Sequence, residues 1–484
     1  MSRAWTAAYP AAFAVAYVLL SFAAFPTTTA DLARPLAIVL LATPVLVLIV
    51  AIPLRSLPRA ALVVATLVVA ASAPFLLVAV VLAAAAAIVV QVARRRWTLA
   101  SLRRTSAASA SRAAGLFALA FLVVGVAYAT PAMVGGLFLA DHPRGGAGTA
   151  DRPNIYLLLL DGYPRTDTLA ELYDYDNAWF EDALGGLGFE VARGSRSNYP
   201  HTWLTLTSML NGSYVDGING LAPAPESAVD QYRHLMSALN EAAMPRALRE
   251  QGYEIHAIPS PFRSVALATA DSYLDGGQIS VFEYSLLMHS QVGPLVTRLA
   301  PDFLMSQQRD RFHATLDLLV NEASAEGPAF FVLAHLFSPP HAPLVYGRSG
   351  EHLALPACVP DECSLWEFPD DAWDELGNQI HYTNGEVLKA VTQIVEEDPD
   401  GVVILMSDHG SRRDRSNLDE FFRNFFAART PGQQVFPADV SPVNVLRLLL
   451  SAETDARLDA LPYRAWMFAD EERPLDLTTF EPSR

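Results

Sequence analysis

Acidic residues are almost missing from the first 150 positions. That stretch holds eleven Arg and only Asp31 and Asp141, a net charge of +9. Residues 60–93 carry no charge at all. The rest holds 23 basic and 49 acidic residues, a net −26, so the overall −17 averages two unlike halves. This excludes one uniform globular domain. A soluble half this acidic also repels phosphate backbones, which excludes nucleic-acid binding as the main activity. Lysine is represented by Lys389 alone, consistent with codon bias and assigned no function. There is no GxGxxG, no P-loop and no Ser-His-Asp order, so nucleotide cofactors have no support. Cysteine is limited to Cys358 and Cys363, in CVPDEC. Outside the cytoplasm a disulfide closing this small loop is favoured over metal ligation.

What the first half does hold is apolar chain. The mean hydropathy of +0.24 suits a membrane anchor joined to a globular domain. Residues 11–25, 35–54 and 113–139 each approach the roughly 20 residues that a bilayer needs. As one helix, residues 60–93 would run about 50 Å against about 30 Å of hydrocarbon. A break at Ser72-Ala73-Pro74 divides them into two spans, making five transmembrane helices. Arg3, the Arg55/Arg59 pair and the cluster from Arg94 to Arg112 then all face the cytoplasm, and the chain emerges outside at Asp141. Further spans after the first, and a weak cleavage site at Thr27–Ala30, argue against a cleaved signal peptide. The expected division is a transmembrane bundle over 1–140, a Gly-rich linker over 141–152, a catalytic domain over 153–450 and a C-terminal extension over 451–484. The localisation expected is a multi-pass cell-membrane protein with an extracytoplasmic domain.

Three apolar runs in the second half read as buried parallel strands: 153–161 ending in Asp161, 329–335 ending in His335, and 401–409 ending in Ser407-Asp408-His409. Helical stretches such as 234–251 and 382–397 alternate with them, which predicts a doubly wound α/β sheet with helices on both faces. Ligands in such sheets sit beyond the carboxyl ends of the strands, so the three ends share one crevice. A fourth piece, NYPHTWLTLTSMLNG (198–212), opens a helix at Thr202. A hydroxyl there is either an N-cap, the commoner case, or a nucleophile in the helix dipole. As a nucleophile it is too weak an acid without a metal or a base. Asp161, Asp408 and His409 are donors that one divalent metal ion, Zn or Mn, accepts.

The order strand-Asp161, Thr202 at a loop–helix junction, the segment AHLFSPPHAPLVY with His335 and His341, then Ser407-Asp408-His409-Gly410 resembles the alkaline phosphatase/sulfatase superfamily over roughly residues 150–450. With its helical anchor the chain resembles the lipoteichoic acid synthase and phosphoethanolamine transferase group. Gly212 lies ten residues after Thr202, as a glycine follows the nucleophile in sulfatases. The resemblance implies Asp161, Thr202, Asp408 and His409 as metal ligands, Thr202 as nucleophile, and His335 and His341 against the transferred group. His381 and Asn384 match in position with less force. Thr202-Trp203-Leu204-Thr205-Leu206 stands where sulfatases need Cys or Ser in Cys-x-Pro-x-Arg, so phosphoryl chemistry is favoured. The first ligand is Asp161, where the lipoteichoic acid synthase group has Glu. No Asp-x-x-x-His element precedes His335, so a single metal site is expected.

The implied activity is transfer of a phosphoryl-linked head group from a membrane lipid to an envelope glycan or polyol through phospho-Thr202. The alternatives are a phosphodiesterase, phosphatase or sulfuric ester hydrolase using the same site, and a catalytically inactive envelope scaffold. Around this core, His201 is either a supporting base or a solvent-facing loop residue. Arg412 and Arg413 are taken for surface arginines rather than a phosphate clamp. The aromatic stretch 416–427 is expected to pack on the sheet, and His256, His289 and His313 are taken as structural.

Overall fold

The computed structural model describes residues 3–24, 29–72, 107–139, 152–221, 224, 227–337, 340–341, 344–353, 370–414, 416–454, 456–468 and 473–481, with the side chains of a few of these left aside. The chain forms two compact units. One comprises Met1–Ala140 together with Phe282–Leu299; the other comprises Asp141–Val281 and Ala300–Arg484.

The first unit is helical. Arg3–Ala24 packs against Ala33–Leu54, Leu57–Ser72 and Ala107–Leu139. Three of these helices are long and apolar enough to cross a membrane, while Leu57–Ser72 is shorter. The break expected at Ser72-Ala73-Pro74 falls at the edge of the described residues and is not tested. The additional span expected over 74–93 lies outside the described residues, so the count of five is not established. Side chains turned inward are mostly small or β-branched, such as Ala60, Ala61, Val64 and Val47. Large ones, such as Leu41, Ile52 and Leu116, face outward. This distribution suits an apolar solvent, in which close helix approach and not hydrophobic exclusion holds helices together.

The second unit is built on a seven-stranded sheet: β1 (Ile155–Leu160), β2 (Glu190–Val191), β3 (Glu254–Ile258), β4 (Ser272–Tyr273), β5 (Phe330–Leu336), β6 (Val402–Met406) and β7 (Phe426–Arg429). The spatial order is β2-β7-β6-β1-β5-β3-β4. The pairs from β6 through β4 are parallel, whereas β7 runs antiparallel to β6 and pairs antiparallel with β2. The sheet is therefore mixed and not wholly parallel.

Why β1 reads as an unbroken apolar run is clear from its neighbours. Tyr156, Leu158 and Leu160 belong to the core beneath Pro301–Ala323 and Asp370–Glu397. Ile155, Leu157 and Leu159 belong to the opposite core, with Thr202–Asn211, Ala243–Glu250 and Pro442–Glu453. Alternate side chains point to opposite faces, and both faces are covered, so no position is left for a polar residue. The run expected as one helix over 234–251 is two helices, Ala228–Asn240 and Ala243–Glu250. The chain visits β3, β4 and β5 on one side of β1 before crossing to β6 and β7. That reversal places a topological switch point at β1, where ligand crevices form.

The aromatic stretch is buried but divided: Phe425 and Phe426 join the cores on the sheet as expected, whereas Phe421 and Phe422 cluster with Ala465 of the C-terminal hairpin. The C-terminal residues form a hairpin, Ala465–Phe468 with Leu477–Phe480.

Candidate active site

Three strand ends converge. Leu159 of β1 lies opposite His335 of β5 and Met406 of β6, so one register sets the positions of Asp161, His335 and the Ser407–His409 turn. The Asp161 amide continues the ladder by donating to the Leu336 carbonyl at 2.9 Å. Gly162 then turns with φ +62°, and its amide donates to Asp408 Oδ1 at 3.0 Å. A Cβ at Gly162 would lie 2.7 Å from the His341 ring and 3.2 Å from that of His409. Glycine is thus required there both by the left-handed turn and by the rings crowding over it.

Asp161, His341 and His409 each offer a ligand atom, all within 4.8 Å of one another. His409 donates from Nδ1 to the Gly410 carbonyl at 2.8 Å. This fixes the tautomer and leaves the Nε2 lone pair facing inward, 3.6 Å from Asp161 Oδ1 and 3.5 Å from Asp408 Oδ2. His335 is buried, and its Nε2 donates to Asp161 Oδ2 at 3.0 Å. It therefore orients the carboxylate from behind, while His341 joins the metal-competent group. The resemblance had given these two histidines one role; the geometry separates them.

The donor set fits a divalent cation. Asp161 and Asp408 are both buried beside imidazoles, and Asp408 Oδ2 makes no hydrogen bond among the described residues. Burial first, and then the Asp408 charge, push the Asp161 carboxyl up to about 8, against the opposing influence of His341, Arg412 and a hydrogen bond from Thr202. Burial holds His335 down to about 4, and burial with the Arg412 charge holds His409 well below the usual imidazole range. Two buried acids close together, one with an oxygen that no described group satisfies, beside imidazole nitrogens form an arrangement that a cation completes.

Thr202 is the first residue of its helix, and the N-cap position belongs to His201. The N-cap reading therefore does not hold for Thr202, whose hydroxyl is near enough to Asp161 to favour its ionised form. The helix runs to Asn211 and closes at Gly212, whose φ of +56° makes the left-handed cap. His201 stacks on Trp203, with centroids 4.2 Å apart, and meets Phe468 edge-on. His201 is half-buried with its Nδ1 out of solvent, so it is not the solvent-facing residue considered above, and burial, then Arg412, keep it well below its ordinary value.

Arg412 corrects an expectation. It is buried, donates to the Pro200 carbonyl, and places Nη2 3.0 Å from His409 Nε2. It sits over the site because the turn after β6 folds back on the 198–201 loop. Its distance from the surface is a long-range consequence that local sequence does not carry. Arg413 turns away, to the Leu172 carbonyl and the face of Tyr173. His381 lies apart, against Tyr175 and Trp179. Asn384 joins a buried network with Tyr163 and Asn177. Neither belongs to the cluster. His256 pairs with Glu322, His289 with the Ser285 carbonyl and His313 with Tyr346, all consistent with structural roles. Cys358 and Cys363 lie outside the described residues.

The C-terminal extension, expected to pack on or trail the catalytic domain, reaches the loop before Thr202. The C-terminal hairpin backs the 198–201 loop, with Trp466 stacked on Tyr199 at 5.3 Å and its amide donating to the Asn198 carbonyl at 3.0 Å.

No family model matches the chain, and no curated protein matches it. Solved structures similar to it include the C-terminal periplasmic domain of EcEptC from Escherichia coli (13% identity, TM-score 0.43, 68% of this chain and 93% of that one). The same domain in complex with Zn gives 12% identity, a TM-score of 0.42, and 66% and 90% coverage. A protein in the alkaline phosphatase superfamily from Vibrio parahaemolyticus gives 14% identity, a TM-score of 0.39, and 67% and 74% coverage.

Proposed function

We propose that the chain is a membrane-bound, metal-dependent phosphotransferase with Thr202 as nucleophile. The supporting observation is the placement of Thr202 at a helix N-terminus, its hydroxyl near enough to Asp161 to favour the ionised carboxylate, beside His341 and His409. Asp161, Asp408, His409 and Thr202, with His341 in reach, would hold one Zn or Mn ion. Bound there, the ion would lower the hydroxyl's pKa and offset charge on phosphoryl oxygens.

The chain's own groups do the rest. Thr202 Oγ forms a bond to phosphorus as the bond from phosphorus to the lipid oxygen breaks, and the proton lost from Thr202 ends on the departing lipid alcohol. The head group then rests on Thr202 as a phosphodiester. A hydroxyl of an envelope glycan or polyol displaces it and restores the free threonine. His335 keeps Asp161 oriented, and the helix dipole favours negative charge at Thr202. Arg412 is near enough to balance a phosphoryl oxygen as a fixed cation. The apolar helices of the first unit support a lipid donor and an extracytoplasmic domain.

Purified full-length protein should contain one Zn or Mn per chain. Thr202→Ala should lower turnover of a head-group donor at least a thousandfold while most of the metal is retained. Turnover surviving in that variant rejects the nucleophile, and wild-type protein without a transition metal favours the scaffold. Free phosphorylated alcohol as the main product, with no group on an acceptor, makes the protein a hydrolase.

A further inference from the structure

Residues Phe282–Leu299 belong to the first unit although both flanking stretches of chain belong to the second. Their contacts identify which end of the helical bundle they reach. Phe282 packs edge-on against Phe22, Tyr17 donates to the Leu286 carbonyl, and Glu283 pairs with Arg34. The Gln291 amide donates to the carbonyl of Ala71. Leu286 also joins a cluster with Leu32, Ala129 and Met133. These partners lie late in Arg3–Ala24, early in Ala33–Leu54, in the last turn of Leu57–Ser72 and beyond the middle of Ala107–Leu139. Arg3, Arg55, Arg59 and Arg112 occupy the opposite helix ends. By the positive-inside rule those arginines mark the cytoplasmic side, so the segment meets the bundle at its outer end.

The side of the segment away from the bundle is apolar. Val292, Leu295 and Leu299 are exposed by 37%, 54% and 71%. Their spacing of three and four residues sets them on one face at and along the short helix Gly293–Leu299. Arg298, also exposed, lies beside them. The bundle surface that continues from this place is itself apolar and outward-facing, with Ile38, Leu40 and Leu41 on the helix that begins next to Arg34.

We propose that Phe282–Leu299 is an interfacial membrane anchor inserted in the catalytic chain. Val292, Leu295 and Leu299 enter the boundary between acyl chains and head groups of the outer surface, and Arg298 extends to lipid phosphates. Leucines buried to this depth with a flanking cation are the usual composition of interfacial helices. The anchor gives the catalytic unit two covalent attachments to the membrane unit in addition to the 141–152 linker. The inference rests on the membrane reading of the bundle and not on the chemistry at Thr202.

The test places a reporter on the face. Full-length protein with Cys358→Ser and Cys363→Ser receives Leu295→Cys or, separately, Leu299→Cys, and each is labelled with an environment-sensitive fluorophore. Asp182→Cys, on an exposed helix position of the second unit, is the aqueous control. In phosphatidylcholine–phosphatidylglycerol vesicles, both labels should emit to the blue of the control. Nitroxide lipids labelled near the head group should quench them several-fold more than the control. Emission and quenching equal to those of Asp182→Cys overturn the proposal. Blue-shifted emission that lipid nitroxides leave unquenched also overturns it, because the face is then covered by protein.

Discussion

The two units bury opposite things. The helical unit turns Ala60, Ala61 and Val64 inward and shows Leu41 and Ile52 to its surroundings. The sheet unit hides Leu157, Leu158 and Leu159 and, at the ends of the same strands, hides Asp161, Asp408 and His409 as well. The difference reflects the solvent each unit answers to. Where lipid is the solvent, large apolar groups gain nothing by turning inward. Where water is the solvent, burying charge is costly, so a buried acid pair marks a place where something other than stability is at stake.

Several changes would break or sharpen this contrast. Gly162→Ala should act most strongly. It adds a methyl 2.7 Å from the His341 ring at a φ of +62°, so the rings over Asp161 must shift. Misplacement by about 1 Å costs activity on the order of a hundredfold. The fall should appear in turnover and in metal affinity while circular dichroism is unchanged; full activity would show that the crowding is tolerated.

Leu157→Ala and Ile52→Ala come next, as a pair. Leu157 is fully buried, and its truncation should destabilise the sheet unit by about 2–5 kcal/mol in denaturant titrations. Ile52 is 75% exposed, and its truncation should cost under about 1 kcal/mol in lipid. Equal losses would mean that the outward face of the bundle is packed against protein.

Glu420→Gln should show the smallest effect, and only with pH. Burial, then Asp414, raise this carboxyl to about 7 from an ordinary 4.5. A raised folded value means that the wild type has its full relative stability below about pH 4.5 and loses it as pH climbs through 7. The Gln variant should escape that loss, by about 1 kcal/mol once partial solvent screening is allowed for. Parallel melting-temperature curves for the two proteins between pH 5 and 8 would contradict this.

Much of this arrangement was readable before the fold. Apolar runs that stop at Asp161, His335 and Asp408-His409 announce strand ends, because a strand covered on both faces has no other place for an acid. Thr202 and Gly212 bracket a helix in sequence as they do in space. The separate placements of His335 and His341 were not readable, since they depend on how the chain turns after β5. Nor was the burial of Arg412, which comes from a contact with Pro200 over two hundred residues away. The assignment of Phe282–Leu299 to the helical unit was hidden for the same reason: short apolar helices look alike in sequence whether they meet a sheet or a membrane.

The central claim is that Thr202 carries the transferred group. Metal-loaded full-length protein mixed with a lipid head-group donor, without acceptor, and quenched in acid should yield a tryptic peptide spanning Thr202. The account predicts that its mass rises by the phosphorylated head group, with fragmentation placing the addition on Thr202 and the acceptor removing it. A peptide that stays unmodified while the donor is consumed, or a modification on another residue, would contradict it.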